Sequence, residues 1–195
     1  MDNDRKVLIN FIKATFPISE YGSKTIAENF QQIRYRKNDF ILKEGNICSD
    51  YLFLEQGFMR AFVYDTNGDD VTTGFFSKNE MVFEVSSYFR RTPSKENIQA
   101  LTDCLGWVGN YGQLQPLFHS LPEYREFGRT ILVKAVVALK ERTLSMINQK
   151  AEERYETLLK FNPEIFQNTP LKYIASYLGI TDTSLSRIRK ELAHK

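Results

Sequence analysis

Apolar residues recur at helical spacing over residues 5–16, where Val7, Leu8, Phe11, Ile12 and Ala14 fall together and Pro17 stops the run. A second short helix is expected over residues 23–30, with Ile26, Ala27 and Phe30 on one side. From Gln32 to Gly112 the period changes. Short apolar or alternating runs (40–42, 51–54, 59–64, 71–76) are separated by Gly, Asn and Asp, which predicts an antiparallel sandwich or barrel. Asn67-Gly68 marks a hairpin, because glycine tolerates the positive φ such turns require. Residues 98–101 and 105–108 read as two closing strands.

After Gln113 the pattern is helical. A short segment at 114–120 precedes Pro122, which suits a helix start, and a long helix follows to about Gln149. Within it Leu132, Val136, Leu139, Thr143 and Met146 are spaced four, three, four and three apart, a seam that pairs helices side by side. Ile131, Val137, Leu144 and Ile147 supply a second apolar face. Two faces need two partners: the helix's own sheet and, most simply, a symmetric copy. A further helix over 150–161 ends at Asn162-Pro163, and a short polar connection leads through Pro170.

The final stretch carries the strongest motif. In Leu171–Ile188, Ala175 is small where two helices would cross, and Gly179 supplies the left-handed turn between them. Ile174, Leu178, Ile180, Leu185 and Ile188 fill the space between the helices, and Thr181 caps the second helix. Asp182, Thr183, Ser184, Ser186, Arg187 and Lys190 are left on its outer or leading surface. Short polar residues with one arginine suit a helix lying in the major groove of double-stranded DNA, where arginine can pair bidentately with guanine. Arg189 and Lys190 suit phosphate contacts. The same pattern is open to a solvated helical hairpin, or to one that binds a protein partner.

Composition narrows the classes. Net charge is only +2, so any nucleic-acid signal is local: residues 181–195 hold four Lys or Arg plus His194 against Asp182 and Glu191. Two cysteines, Cys48 and Cys104, exclude a disulfide scaffold or a four-thiolate metal site, and both are expected buried. The histidines, His119 and His194, lie outside the β-rich region, which removes the metal set that a cupin-type barrel enzyme needs. No glycine-rich phosphate loop or Ser-His-Asp set is present, so no catalytic residue is expected. No stretch reaches the roughly 18 apolar residues of a membrane span. The N-terminus starts acidic without a signal-peptide pattern, so a cytoplasmic location is expected.

With strands, a long helix and a helix-turn-helix in this order, the chain resembles the CRP/FNR family of bacterial transcription regulators over nearly its whole length. The carriers are Lys37-Asn38-Asp39-Phe40-Ile41-Leu42-Lys43-Glu44-Gly45, residues 51–60 and residues 178–188. The resemblance implies an α+β chain in three parts. Residues 1–121 would be a cyclic-nucleotide-binding-like β-roll (a double-stranded β-helix) with N-terminal helices, 122–149 a dimerisation helix, and 150–195 an all-α DNA-binding domain. It implies a homodimer with RNA polymerase as a further partner, and Asp182, Thr183 and Arg187 at base-reading positions.

The family's nucleotide cassette maps here onto Phe83-Glu84-Val85-Ser86 and Glu96-Asn97. Glu84 would stand for the ribose-binding glutamate. Phe83 replaces a glycine, however, and Glu96-Asn97 falls where the family has an Arg-Ser or Arg-Thr pair whose arginine neutralises the cyclic phosphate. A carboxylate repels a phosphate, so cyclic nucleotide is disfavoured, leaving another small effector or an empty pocket open. An iron–sulfur version would need four cysteines, and a haem version would need axial ligands in or before the roll. The family's β-hairpin wing has no counterpart in the short stretch before Pro170.

Overall fold

The computed structural model describes residues 5–193. The acidic start at residues 1–4, and His194 with Lys195, lie outside the described residues. Two helices open the chain, α1 (Lys6–Thr15) and α2 (Glu20–Glu28). The strands follow as β1 (Gln31–Tyr35), β2 (Phe40–Leu42), β3 (Asp50–Gln56), β4 (Met59–Tyr64), β5 (Asp70–Phe76), β6 (Glu80–Val82), β7 (Asn97–Ala100) and β8 (Cys104–Asn110), with α3 (Val85–Arg90) set between β6 and β7. They form two four-stranded antiparallel sheets in the orders β1-β8-β3-β6 and β2-β7-β4-β5. Successive strands therefore alternate between the sheets except at the β4–β5 hairpin, the winding of a β-roll.

Asn67-Gly68 forms the β4–β5 turn as expected. Gly68 has φ +86°, and the Asp65 carboxylate accepts the amides of Asn67 (2.8 Å) and Asp69 (3.0 Å). Leu52, Phe53, Leu54 and Met59 on β3 and β4 are wholly enclosed, and Phe11 of α1 stacks on Phe53 at 4.6 Å. Cys48 and Cys104 are free and buried, and burial pushes both thiols up, the inert condition expected of them.

The remaining elements are α4 (Tyr111–Ser120), α5 (Pro122–Asn148), α6 (Ala151–Phe161), α7 (Pro163–Asn168), α8 (Leu171–Leu178) and α9 (Asp182–Ala193). Several boundaries differ from the sequence expectation. Helix α2 begins three residues early because Ser19 caps it, its hydroxyl accepting the Gly22 amide at 2.9 Å. Helix α4 also starts early, on a capping box between Asn110 and Gln113. The supposed polar connection after Asn162 contains α7, for which Pro163 at the first position is preorganised. Strand β1 was not anticipated. It is a polar edge strand whose pairing with β8, not its own hydrophobicity, defines it.

Helix α5 also departs from expectation. Its packing on the roll is confined to the N-terminal half, through Tyr124, Phe127 and Ile131, with Leu132 half-buried beside them. Of the second apolar face, Val137, Leu144 and Ile147 are exposed rather than set against the sheet. The roll ends before the helix does, so the C-terminal half has no sheet to cover it.

Candidate nucleic-acid interface

Helices α8 and α9 cross over a compact core of Ile174, Ala175, Leu178, Leu185 and Ile188, all buried, with Ile180 half-buried. The turn between them is a Schellman closure: Ile180 donates to the Ala175 carbonyl at 3.0 Å and Gly179 to that of Ser176 at 3.1 Å. Gly179 holds φ +67°, and a Cβ there would meet Met146 Cε of α5 at 2.5 Å. Thr181 Oγ1 accepts the Ser184 amide at 3.2 Å, the cap expected at the start of α9.

The outward side of α9 carries Asp182, Thr183, Ser186, Arg187, Arg189 and Lys190, all exposed, with Ser184 half-buried at its edge. The Arg187 side chain is 74% exposed, and its nearest acidic group is Glu191 one turn on, at a loose 3.9 Å. An exposed pair of this kind is worth well under about 1 kcal/mol, so the guanidinium is available to a ligand.

The α8–α9 pair is anchored to the roll through α8. The buried Arg60 of β4 lies between Phe62 (4.0 Å) and Tyr173 of α8 (3.4 Å), and donates to Asp70 at 2.7 Å. Thr72 donates its amide to Ser176 Oγ at 3.1 Å, and Phe75 meets the Tyr177 ring at 5.0 Å. Phe58 and Leu101 of the roll belong to the same buried cluster as the helix-turn-helix core. These anchors leave α9 uncovered. Arg60 and Tyr173 had no periodic signal in the sequence; only the contact between the roll and α8 gives them a role.

The seam expected on α5 divides into three. Leu132 packs on the roll core and Met146 closes over the Gly179 turn, while Val136, Leu139 and Thr143 between them are exposed, flanked by Val133, Val137, Leu144 and Ile147.

The candidate ligand residues are not gathered around one cavity. Glu84 caps α3, its carboxylate accepting the amides of Ser86 (2.8 Å) and Ser87 (2.6 Å). Val85 and Ser86 are exposed on that helix. Asn97 is buried and accepts the Glu44 amide at 3.0 Å. Glu96 is half-buried. Burial raises its carboxyl pKa, and the charge of Arg142 pulls it back only in part. Phe83 lines two cavities: one of about 340 Å³ at the roll with Ile41, Asn46 and Ile98, and one of about 540 Å³ against Tyr88, Tyr124 and Leu132. Arg91, a cation near the cassette, is spent on the Cys48 carbonyl at 2.8 Å and Ser49 Oγ at 2.9 Å. No cluster of side chains able to hold a metal ion occurs among the described residues.

Residues 32–120 match the cyclic nucleotide-binding domain family. Solved structures extend the likeness over most of the chain. The c-di-GMP-responsive global regulator CLP of Xanthomonas campestris superposes with TM-score 0.71 at 17% identity, over 90% of this chain and 92% of that one. A protein from Eubacterium rectale described as a transcriptional regulator of the Crp/Fnr family gives 0.71 at 15% identity, over 92% and 88%. The chain has the CRP/FNR fold. FixK2 of Bradyrhizobium japonicum gives 0.70 at 16% identity, over 85% of each chain. No curated protein sequence matches significantly. At these identities the CRP/FNR likeness is one of architecture. Among the described residues no helix is long and apolar enough to cross a membrane.

Proposed function

We propose that the protein is a homodimeric transcription regulator that reads double-stranded DNA with α9. The observation that carries this is the two-sidedness of α9: its apolar residues are buried against α8, while Thr183, Ser186 and Arg187 project outward with nothing over them. In this reading residues 1–121 form the sensing part, 122–149 the dimer helix and 150–195 the DNA-binding part. Thr181, Asp182, Ser184, Arg189 and Lys190 flank the reading face. The exposed apolar strip of α5 supports pairing with a second copy. A regulator of this kind works in the cytoplasm and has RNA polymerase as its further partner.

Cyclic nucleotide is not the effector in this reading. The cassette position where a phosphate-binding arginine is expected holds Glu96, and Glu84 is committed to its helix cap.

The test is Arg187→Ala. Loss of a bidentate guanine contact, worth about 1–3 kcal/mol, should weaken binding to a selected operator by roughly 5- to 150-fold and to random duplex far less. Equal loss on both would make Arg187 a phosphate contact. Absence of salt-dependent duplex binding by the unaltered protein would remove the DNA reading in favour of a protein partner.

A further inference from the structure

The last turns of α5, helix α6 and the carbonyl end of α8 enclose a cleft of about 550 Å³, within the roughly 300–1,000 Å³ range of small-molecule sites. Two arginines from different helices meet there. Arg142 of α5 donates through Nη2 to the Tyr177 carbonyl at 3.2 Å and lies over the Tyr177 ring at 4.5 Å. Arg154 of α6 donates to the Leu178 carbonyl at 2.8 Å and the Gln149 carbonyl at 2.6 Å. Tyr177 and Leu178 are consecutive, so both guanidiniums are drawn to one helix end.

Capping accounts for part of this arrangement, since the carbonyl end of a helix carries about half a negative charge. It does not balance two full positive charges. Neither arginine has a carboxylate within 4.0 Å among the described residues, although Glu141 lines the cleft and Glu96 lies within electrostatic range of Arg142. The Nε atoms of both arginines and Oε1 of Gln149 are enclosed without hydrogen-bond partners. Like charges held together repel, and half-buried charge with no carboxylate in direct contact is costly. Most of the N–H donors of the two guanidiniums remain unspent on the α8 carbonyls. Ser145 and Thr157 offer hydroxyls at the wall, and Met146 and Leu158 give an apolar floor.

The geometry points to a binding site for a small organic anion, a carboxylate or phosphate of metabolite size, held between Arg142 and Arg154. The anion would neutralise both guanidiniums and join α5 and α6 to the end of α8. The site lies outside the roll and stands independently of the DNA-binding reading.

Isothermal titration of the full chain with citrate, and separately with inorganic phosphate, tests it in buffers matched for ionic strength with KCl. Saturable binding of at least one of them, one per chain, is expected, and the arm that responds tells carboxylate from phosphate. Arg154→Gln should weaken that binding at least tenfold. Ala138→Trp, at an exposed position of α5 lining the cleft, should do the same by filling it while leaving both arginines and the fold in place. Arg187→Ala should leave the binding unchanged. The site is overturned if neither anion binds beyond the KCl background, if Ala138→Trp keeps the original affinity, or if Arg187→Ala abolishes binding, which would put the anion on α9.

Discussion

The guanidinium carbon of Arg60 lies 3.4 Å from the centre of the Tyr173 ring, which joins the β-roll to the first helix of the helix-turn-helix. Phe62 covers the other side and Asp70 neutralises the charge, so a side chain that is 2% exposed is held without loss of its counter-ion. A desolvated cation–π contact of this kind is worth about 2 kcal/mol. In a double-mutant cycle of Arg60→Met and Tyr173→Leu followed by urea unfolding, a coupling of roughly 1–2 kcal/mol is expected. Asp70→Asn should cost about 2 kcal/mol, short of the ~3–5 kcal/mol of a fully buried pair because Asp70 keeps 27% exposure. A coupling near zero would show that the contact between the roll and α8 does not depend on this stack.

Gly179→Ala tests the turn between α8 and α9. An alanine must hold φ near +67° and place its Cβ against Met146, whose flexible end can yield. The backbone term alone is about 1–2 kcal/mol. Urea unfolding should show that loss, and Met146→Ala in the same chain should recover only the steric remainder.

Val136→Asp tests the seam on α5. The residue is 63% exposed in the single chain, so a charge there should change monomer stability by no more than about 0.5 kcal/mol. Light scattering after gel filtration should find the unaltered protein as a dimer and the variant as a monomer. A variant that remains dimeric would place the interface elsewhere.

Glu96 gives a pH dependence with a defined sign. Burial raises its carboxyl pKa in the folded state, so the folded chain holds this proton to higher pH than the unfolded chain does. The contribution to stability is therefore most favourable below the ordinary carboxylate pKa and is lost as pH rises through the raised folded value. In urea unfolding across this range, Glu96→Gln should gain on the unaltered protein as pH increases. A constant difference would mean that Glu96 ionises normally in the fold.

The helix-turn-helix was legible because each of its positions answers a local demand. Gly179 must turn left-handed, Thr181 must cap, Ala175 must be small and the apolar residues must face inward. Their spacing shows all of this without a tertiary contact. The hairpin at Asn67-Gly68 was legible for the same reason. The ligand site was not. Glu84 satisfied a motif position, yet its oxygens went to the Ser86 and Ser87 amides, because the chain after β6 turns into α3 and needs a cap. No periodicity marks that choice.

The sequence by itself determined the order of roll, long helix and helical hairpin, along with the polar outer face of α9, because hydrophobic period and turn chemistry are local properties. Only the tertiary structure decided which apolar side of α5 would stay uncovered, that Arg60 would meet Tyr173, and that Arg142 and Arg154 would converge on the end of α8. Those outcomes depend on how far the roll reaches along α5 and on where α8 comes to rest. They are distances between segments far apart in the chain, which no local pattern encodes.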